Sequence, residues 1–250
     1  MGKAKDILLK PISSKLANAF VKEHHYSGKV VQNSQLHIGV YLDGTLGGVM
    51  QFGPSLDKRK IQGLVEGTGW HEFLELNRMA FSDKLPRNSE SRAIAIAMRL
   101  LKKHAPQVKW VVSFADATQC GDGTIYRASG FVLTGIKENT NIHQLPSGAL
   151  VAQTTFSKGT HILHTSNGGA GGKRQLDAMG AVRASGFQLR YIYFIDPTYR
   201  DRLTVPELPF SAIDDMGARM YKGEKLDAPP VNGDNVATSH AGRFDPDPEA

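Results

Sequence analysis

The composition of the 250-residue chain excludes several classes of protein before any motif is considered. With 40% hydrophobic and 22% charged residues, it is typical of a globular domain rather than a disordered or fibrous protein. A single cysteine excludes an internal disulfide and a thiolate-based zinc site. Because the chain has no long apolar run and no apolar leader with a cleavage site, we expect no membrane insertion and a cytoplasmic location.

Charge is distributed unevenly along the chain. The sequence contains 30 Lys and Arg and 24 Asp and Glu, a formal charge of +6. Residues 223–250 hold two of the basic and six of the acidic residues, which leaves 28 and 18, or +10, for residues 1–222. A basic body suits a polyanion such as DNA, because each cation that neutralises a phosphate releases a counterion. We predict one domain over 1–222 and an unstructured acidic tail over 223–250.

The first predicted elements are a strand, a helix and a hairpin. Residues 6–12 indicate a short strand, and an apolar stripe predicts a helix over Ser14–His25 with a serine at its start. Two apolar runs flank the Asp-Gly pair at 43–44, whose residue types tolerate the positive φ of a tight turn. Residues 54–70 have no clear period and predict a loop or a short helix.

The middle of the chain alternates strands and helices. Residues 73–81 indicate a central strand, and Ser89–His104 have the apolar face of an amphipathic helix. Residues 108–116 form a dense β-type run. A short helix over 124–130 and a strand over 131–137 complete this part.

Signals are weaker towards the C-terminus. Strands are expected over 149–156 and 189–195, and a helix is expected over Arg174–Ser185. The glycine-rich stretch 166–173 predicts a flexible loop that interrupts regular structure.

This order of elements resembles the GNAT acyltransferase fold, in which a Tyr-x-x-x-Gly-Phe segment follows the fifth strand. Here the segment runs from Tyr126 to Phe131. The resemblance implies an α/β fold with a GNAT-like mixed, largely antiparallel central sheet flanked by helices.

Five blocks, in order along the chain, resemble the Mom family: HHYSG (24–28), ELNRMAF (75–81), PRNSESRAIAIAMRLLKKHAP (86–106), VVSFADATQCGDGTIYRASGFVLTG (111–135) and YIYFIDPTYRDRL (191–203). The resemblance implies a transferase that converts adenine N6 in DNA to a carbamoylmethyl derivative and protects phage DNA from restriction. Its partner would be double-stranded DNA with a flipped adenine, since a stacked base cannot reach an active site. Its location would be the cytoplasm of an infected or lysogenic bacterium.

The family resemblance also points to iron. His25, Tyr26 and Asp116 together offer an imidazole, a phenol and a carboxylate, an N/O ligand set suited to non-haem iron. In the competing interpretation, the histidine caps the end of its helix and Asp116 caps the following turn.

The donor of the transferred group stays open between acetyl-CoA and another acyl or glycyl donor. Acetyltransferases hold the coenzyme A pyrophosphate with a glycine-rich loop at a helix N-terminus. The equivalent KLPRNSES stretch has no glycine. Hydrogen bonds and positive charge for a bound phosphate would there come from Arg87, Asn88, Ser89 and Ser91.

Five residues are candidates for catalysis: Tyr26, Arg78, Ser113, Asp116 and Tyr126. Alternation along residues 73–81 places Arg78 on one face with Leu74 and Leu76, and a buried guanidinium requires an anionic or polar partner. It would orient a phosphate, a donor carboxylate or the target base, unless it forms a structural salt bridge with Glu75, Asp116 or Asp83.

The other candidates have competing interpretations. Tyr126 would exchange a proton with a leaving group, or pack in the core. Ser113 would act beside Asp116 at the end of its strand, or satisfy a backbone group.

Contacts to DNA have several candidates. Trp70, Tyr41 and Phe52 can stack a base, although Phe52 is expected in the core. Phosphate contacts are expected among Lys58, Arg59, Lys60, Lys102, Lys103, Lys173 and Arg174. Two alternative functions remain, an N-acetyltransferase that uses acetyl-CoA on a protein or small amine, and a non-catalytic basic DNA-binding protein.

Overall fold

A seven-stranded sheet forms the centre of the computed structural model, which describes residues 3–153 and 170–226. The strands are β1 (Leu8–Pro11), β2 (Leu36–Leu42), β3 (Thr45–Gly53), β4 (Phe73–Phe81), β5 (Trp110–Ala117), β6 (Val132–Glu138), β7 (Ile142–Gln144), β8 (Leu150–Ala152), β9 (Val182–Arg183), β10 (Phe187–Phe194), β11 (Met220–Tyr221) and β12 (Glu224–Lys225). The helices are α1 (Ser14–His24), α2 (Lys58–Gln62), α3 (Ser89–His104), α4 (Thr124–Ala128), α5 (Ala170–Ala178) and α6 (Ala212–Asp215), with 3-10 turns at Lys3–Asp6 and Pro197–Arg202.

The large sheet has the strand order β1-β2-β3-β4-β5-β10-β6. Every neighbouring pair is antiparallel except β4 and β5, which are parallel over three residue pairs, from Phe73–Trp110 to Glu75–Val112. The predicted α/β class with a largely antiparallel sheet flanked by helices is therefore confirmed.

Several helices and turns lie where the local sequence pattern predicts them. Helix α3 has the predicted bounds, and α1 begins after Ser13, whose side chain accepts a hydrogen bond from the backbone N–H of Leu16 at 3.3 Å. The turn between β2 and β3 places Asp43 and Gly44 at positive φ, 49° and 77°. Within the described residues, no helix combines the length and hydropathy that spanning a membrane requires.

A bulge in β4 reverses one prediction. The register with β3 shifts so that Gln51 pairs with Arg78 and Phe52 with Leu76, which leaves Asn77 as an extra residue. Leu74 and Leu76 contact the large core cluster beneath α3, but after the bulge Met79 and Phe81 contact it instead. Arg78 therefore does not share a face with Leu74 and Leu76.

The predicted glycine-rich loop over 166–173 and the predicted helix over 174–185 are both wrong in part. Residues 166–169 of the predicted loop lie outside the described residues, but Gly171 and Gly172 lie in the first turn of α5, which begins at Ala170 and has Leu176 as a fully buried side chain. The helix ends at Ala178. Beyond it, Gly180 has a φ of +68°, and the N–H of Ala181 donates to the carbonyl of Leu176 at 2.9 Å.

The C-terminal boundary also differs from the prediction. Strands β11 and β12 pair as a hairpin over residues 220–225, so the described chain stays ordered past residue 222. The rest of the predicted tail, 227–250, lies outside the described residues, as do residues 154–156 of the predicted strand over 149–156.

Substitution of Gly123 tests how closely the start of α4 packs against Tyr191. Both Gly123 and Gly148 have positive φ, 86° and 84°, but a Cβ on Gly123 would lie 2.5 Å from the ring of Tyr191, whereas a Cβ on Gly148 meets nothing within 4 Å. We expect Gly148→Ala to lower the free energy of unfolding by about 1 kcal/mol, from backbone strain. Gly123→Ala should lose roughly 2 kcal/mol more, from overpacking. Urea denaturation measures both, and equal losses would contradict the packing.

Candidate active site

A cavity of about 610 Å³ opens where β4 and β5 cease to pair. This volume lies within the range of ligand pockets in proteins. Its polar wall is formed by Tyr26, Ser55, Glu75, Asn77, Arg78, Asp116, Gln119 and Asn139.

Asp116 reaches the cavity because side chains alternate along β5. Val111 and Ala115 contact the core beneath α3, so the even-numbered residues point to the other face. Its Oδ1 accepts the backbone N–H of Thr118 at 3.0 Å, and its Oδ2 accepts the amide of Gln119 at 2.7 Å. The carboxylate is thus held by two donors from the turn that follows its own strand.

Tyr26 reaches the same carboxylate from the segment after α1. Its hydroxyl donates to Oδ2 of Asp116 at 3.3 Å, across 90 positions of sequence. Burial raises the pKa of Tyr26 well above its usual value, and the negative charge of Asp116 raises it further. At neutral pH the phenol is therefore protonated and acts as a hydrogen-bond donor.

His25 lies directly behind Tyr26. The two rings are 4.3 Å apart between centroids, and Nδ1 of His25 lies 2.9 Å from the hydroxyl of Ser27. Burial, with a smaller contribution from the charge of Arg78, lowers the pKa of His25 to about 4. The imidazole is therefore neutral under physiological conditions.

Arg78 is the buried cation of the site, whose wall also includes Lys29 and Lys137. Its Nε donates to the carbonyl of Lys29 at 3.0 Å and its Nη1 to the carbonyl of Asn77 at 2.7 Å. None of the ion pairs between described residues includes Arg78. Burial lowers its pKa, yet a guanidinium stays charged in proteins. Two neutral carbonyls hold this cation against the cavity, so its charge is available to a ligand.

Glu75 is the residue that sequence reasoning considered only as a salt-bridge partner. The bulge at Asn77 puts Glu75 and Arg78, three positions apart, on one face of β4, and both line the cavity. Burial raises the pKa of Glu75, opposed by neighbouring polar groups and by Arg78. Two charged residues three apart in an apolar strand were the signal for a bulge.

Two further contributors had weaker signals. Ser55 is 4% exposed, and its hydroxyl is one of the polar groups that oppose the rise in the pKa of Glu75. Asn139 donates to Thr118 Oγ1 at 3.0 Å and to Asp116 Oδ1 at 3.5 Å, from a loop 23 positions away. No local pattern marks either residue.

Ser113 and Tyr126 lie on the other side of the sheet. The Ser113 hydroxyl is buried and donates to the carbonyl of Leu76 at 3.4 Å. Tyr126 packs against Phe131 and Tyr191, each with ring centroids 5.3 Å away, and burial raises its pKa to about 12. Neither lines the cavity as described, and their roles in catalysis stay predictions.

The four predicted donor-binding residues surround the start of α3. Asn88 adopts a left-handed conformation, φ 72°, which a glycine provides in a pyrophosphate loop. However, the hydroxyl of Ser89 donates to the carbonyl of Pro86 at 2.7 Å, and that of Ser91 to the carbonyl of Asn88 at 3.2 Å. Both hydroxyls are therefore engaged, and the acidic Glu90 in the first turn disfavours an anion at this helix end. Arg87 and the backbone N–H groups remain, and donor binding here stays a prediction.

Of the three predicted iron ligands, Tyr26 and Asp116 line the cavity, and the metal site stays a prediction. Within the described residues, no three His, Cys, Asp or Glu side chains cluster around one point, so the set depends on the phenol of Tyr26. Its oxygen and Oδ2 of Asp116 are 3.3 Å apart, close enough to be neighbouring ligands of one ion. Nδ1 of His25 accepts the backbone N–H of Ser27 at 3.2 Å, so the proton of the neutral ring is on Nε2, and this nitrogen must lose it before it can bind a metal.

The fold and the cavity define the class that the order of elements predicted, a GNAT-like α/β protein with a largely antiparallel sheet that opens beside a polar cavity. The sequence matches the Mom protein family over residues 6–212, and the chain belongs to that family.

Over 138 residues the chain is 41% identical to the methylcarbamoylase mom of Escherichia phage Mu. The match covers 55% of this chain and 57% of that protein, so it spans little more than half of each.

Among solved structures, the chain was matched to acetyltransferases at TM-scores below 0.5. One is an acetyltransferase of Bacillus subtilis in complex with CoA, at 11% identity and a TM-score of 0.40, with 75% of this chain and 97% of that chain covered. Another is a spermidine/spermine N-acetyltransferase of Vibrio cholerae in complex with manganese ions, at 9% identity and a TM-score of 0.42, with 80% and 99% covered.

The lowered pKa of His25 predicts how stability depends on pH. An unfolded histidine has a pKa of about 6.5. As pH falls from 7 to 4, the unfolded state takes up a proton that folded His25, with a pKa of about 4, does not, so the free energy of unfolding falls. The loss is expected to reach about 3 kcal/mol.

Urea denaturation from pH 4 to 7 measures this effect. His25→Gln should flatten the profile, whereas His24→Gln, next to it in sequence, should leave it steep because His25 is still present. A steep profile in His25→Gln would show that another group is responsible.

Proposed function

We propose that this protein is a transferase that attaches a carbamoylmethyl group to adenine N6 in DNA, and that this modification protects phage DNA from restriction. One observation carries the proposal. Tyr26, Arg78 and Asp116 belong to three separate Mom-like blocks, and all three line one cavity. The identity to a methylcarbamoylase supports the same reaction class.

The substrate is an adenine extruded from the duplex. Adenine N6 is buried among stacked pairs, so a modifying enzyme must bring the base into its own pocket. The cavity has the volume for such a ligand and presents both donors and acceptors to the edge of the base. Its hydrogen-bonding groups replace the partners that the base leaves in the duplex.

Glu75 accepts the proton that N6 must lose. In the transfer, a bond forms between N6 and the methylene carbon of the donor, the bond from that carbon to its leaving group breaks, and one N6 proton departs. A carboxylate whose pKa is raised by burial is a stronger base than an exposed one. Glu75 lines the cavity with Arg78 and is the carboxylate with that property.

Arg78 orients the anionic or carbonyl group of the donor. Its guanidinium is anchored through Nε and Nη1, so its remaining donors keep a fixed direction. A preorganised cation costs no reorganisation when negative charge develops on the donor. Replacement of Arg78 by lysine would remove the planar guanidinium group and its hydrogen bonds to the carbonyls of Lys29 and Asn77.

An iron ion would be held by Tyr26 and Asp116, with His25 as a third ligand in the tautomer that frees Nε2, and it would supply Lewis-acid polarisation of the donor. In the chain itself, the Tyr26 hydroxyl donates a hydrogen bond to Asp116 and helps to hold that carboxylate at the cavity wall.

Modified nucleosides in a bacterial host test the function. We expect expression of this chain to yield a new deoxyadenosine species with the added mass of a carbamoylmethyl group, measured by mass spectrometry after DNA digestion. Tyr26→Phe and Asp116→Asn should lower its amount by at least about 100-fold, since each removes a contact at the cavity.

Tyr193→Phe is the matched control, because Tyr193 pairs with Val111 at the other end of β5 from Asp116 and does not line the cavity. It should retain the full amount of product. Unmodified DNA from a host with abundant folded protein would overturn the proposal. Tight acetyl-CoA binding would then favour the acetyltransferase, and salt-dependent DNA binding alone would favour the DNA-binding protein.

The role of Glu75 has its own test. Modification should fall as pH drops through the raised pKa of Glu75, because the protonated acid cannot accept the N6 proton. Glu75→Gln is expected to lower the rate by about 100-fold and to abolish this acidic limb. The rate is measured by nucleoside mass spectrometry at several pH values, with exposed Glu66→Gln as the control. An acidic limb that survives in Glu75→Gln assigns the base to another group.

A further inference from the structure

The loop that forms one rim of the cavity exposes a leucine. Leu56 lines the cavity and is 87% exposed, the highest value among the large hydrophobic side chains in the described chain. Single exposed leucines are common on protein surfaces, so exposure alone carries no meaning. The position of Leu56, its support and its charged neighbours decide its role.

The loop around Leu56 is anchored on both sides. Ahead of it, the carbonyl of Pro54 accepts hydrogen bonds from the side chains of Asn33 at 2.9 Å and Asn77 at 3.5 Å. Behind it, Asp57 caps α2 and accepts the backbone N–H of Lys60 at 3.3 Å. Leu56 therefore projects from a fixed support rather than from a free loop.

The helix that follows the loop is basic. Lys58 lies over the ring of Trp70 at 4.3 Å, and Arg59 and Lys60 are exposed. None of the ion pairs between described residues includes any of these three cations. Positive charge beside an exposed apolar side chain suits a polyanion with an apolar interior, and DNA with its stacked bases is such a partner.

We propose that Leu56 is a wedge that enters the base stack and fills the space left by the extruded adenine, while the cations of α2 contact the flanking phosphates. This inference rests on the proposed function. Proteins that unstack DNA insert leucine and similar side chains between base steps. The same loop lines the cavity, so the wedge and the pocket for the extruded base are adjacent. A second copy of the chain would bring a like-charged α2 to the same surface and is disfavoured.

Base extrusion can be measured without the donor. A set of duplexes, each with one 2-aminopurine in place of adenine in a different sequence context, reports unstacking as a rise in fluorescence. We expect the protein to raise the fluorescence of at least one duplex. Leu56→Ala should reduce that rise at least about five-fold, with duplex affinity changed less than about three-fold, because phosphate contacts supply most of the affinity. Leu56→Met should restore the rise.

Leu8→Ala is the matched control, since Leu8 is an exposed leucine on β1 at the opposite edge of the sheet from β6. It should behave as the unaltered chain does. The double variant Arg59→Gln/Lys60→Gln should instead weaken duplex binding and reduce its salt dependence.

The outcomes separate the wedge from the function. A fluorescence rise that is unchanged in Leu56→Ala, or absent with the unaltered chain, overturns the wedge, even if modified adenine accumulates in the host. A Leu56-dependent rise without modified adenine in the host supports the wedge and overturns the transferase.

Discussion

The point at which β4 leaves β5 is the constraint on which the rest of the site depends. The two strands share only three parallel residue pairs, and the bulge at Asn77 follows directly. The extra residue turns Glu75 and Arg78 to the same face. The gap between β4 and β5 beyond their last residue pair gives these side chains room to approach the end of β5. A regular strand would send one of these two charges into the apolar core, where an unpaired charge is costly.

Arg78 sets the electrostatics of the gap. Its charge lies close enough to lower the pKa of His25, although burial is the larger cause. Tyr26 keeps its proton because burial and the neighbouring carboxylate outweigh the guanidinium. At neutral pH the cavity therefore combines a fixed cation with a phenol donor and a neutral imidazole. A ligand that accepts hydrogen bonds or carries negative charge finds its partners already in place, without reorganisation of the protein.

Sequence alone predicted elements whose cause is local. Helix α3 and the turn after β2 follow from apolar spacing and from the Asp-Gly pair at 43–44, and both have the predicted bounds. The contact between Tyr26 and Asp116 joins residues 90 positions apart, and only the family blocks pointed to it. The bulge at Asn77 and the end of α5 before Gly180 were missed. In each case the regular pattern of the strand or helix was extended past the residue that interrupts it.

The gap also explains why candidate residues occur on both faces of the sheet. Arg78 and Asp116 face the cavity, whereas Tyr126 lies beneath α3, yet the pKa of Tyr126 responds to Glu75 and Arg78. In the transfer proposed here, the base and the donor group meet in the cavity at this opening, between Glu75 and Arg78. The sheet elsewhere separates the two faces, so the reaction and the break in strand pairing belong to the same place.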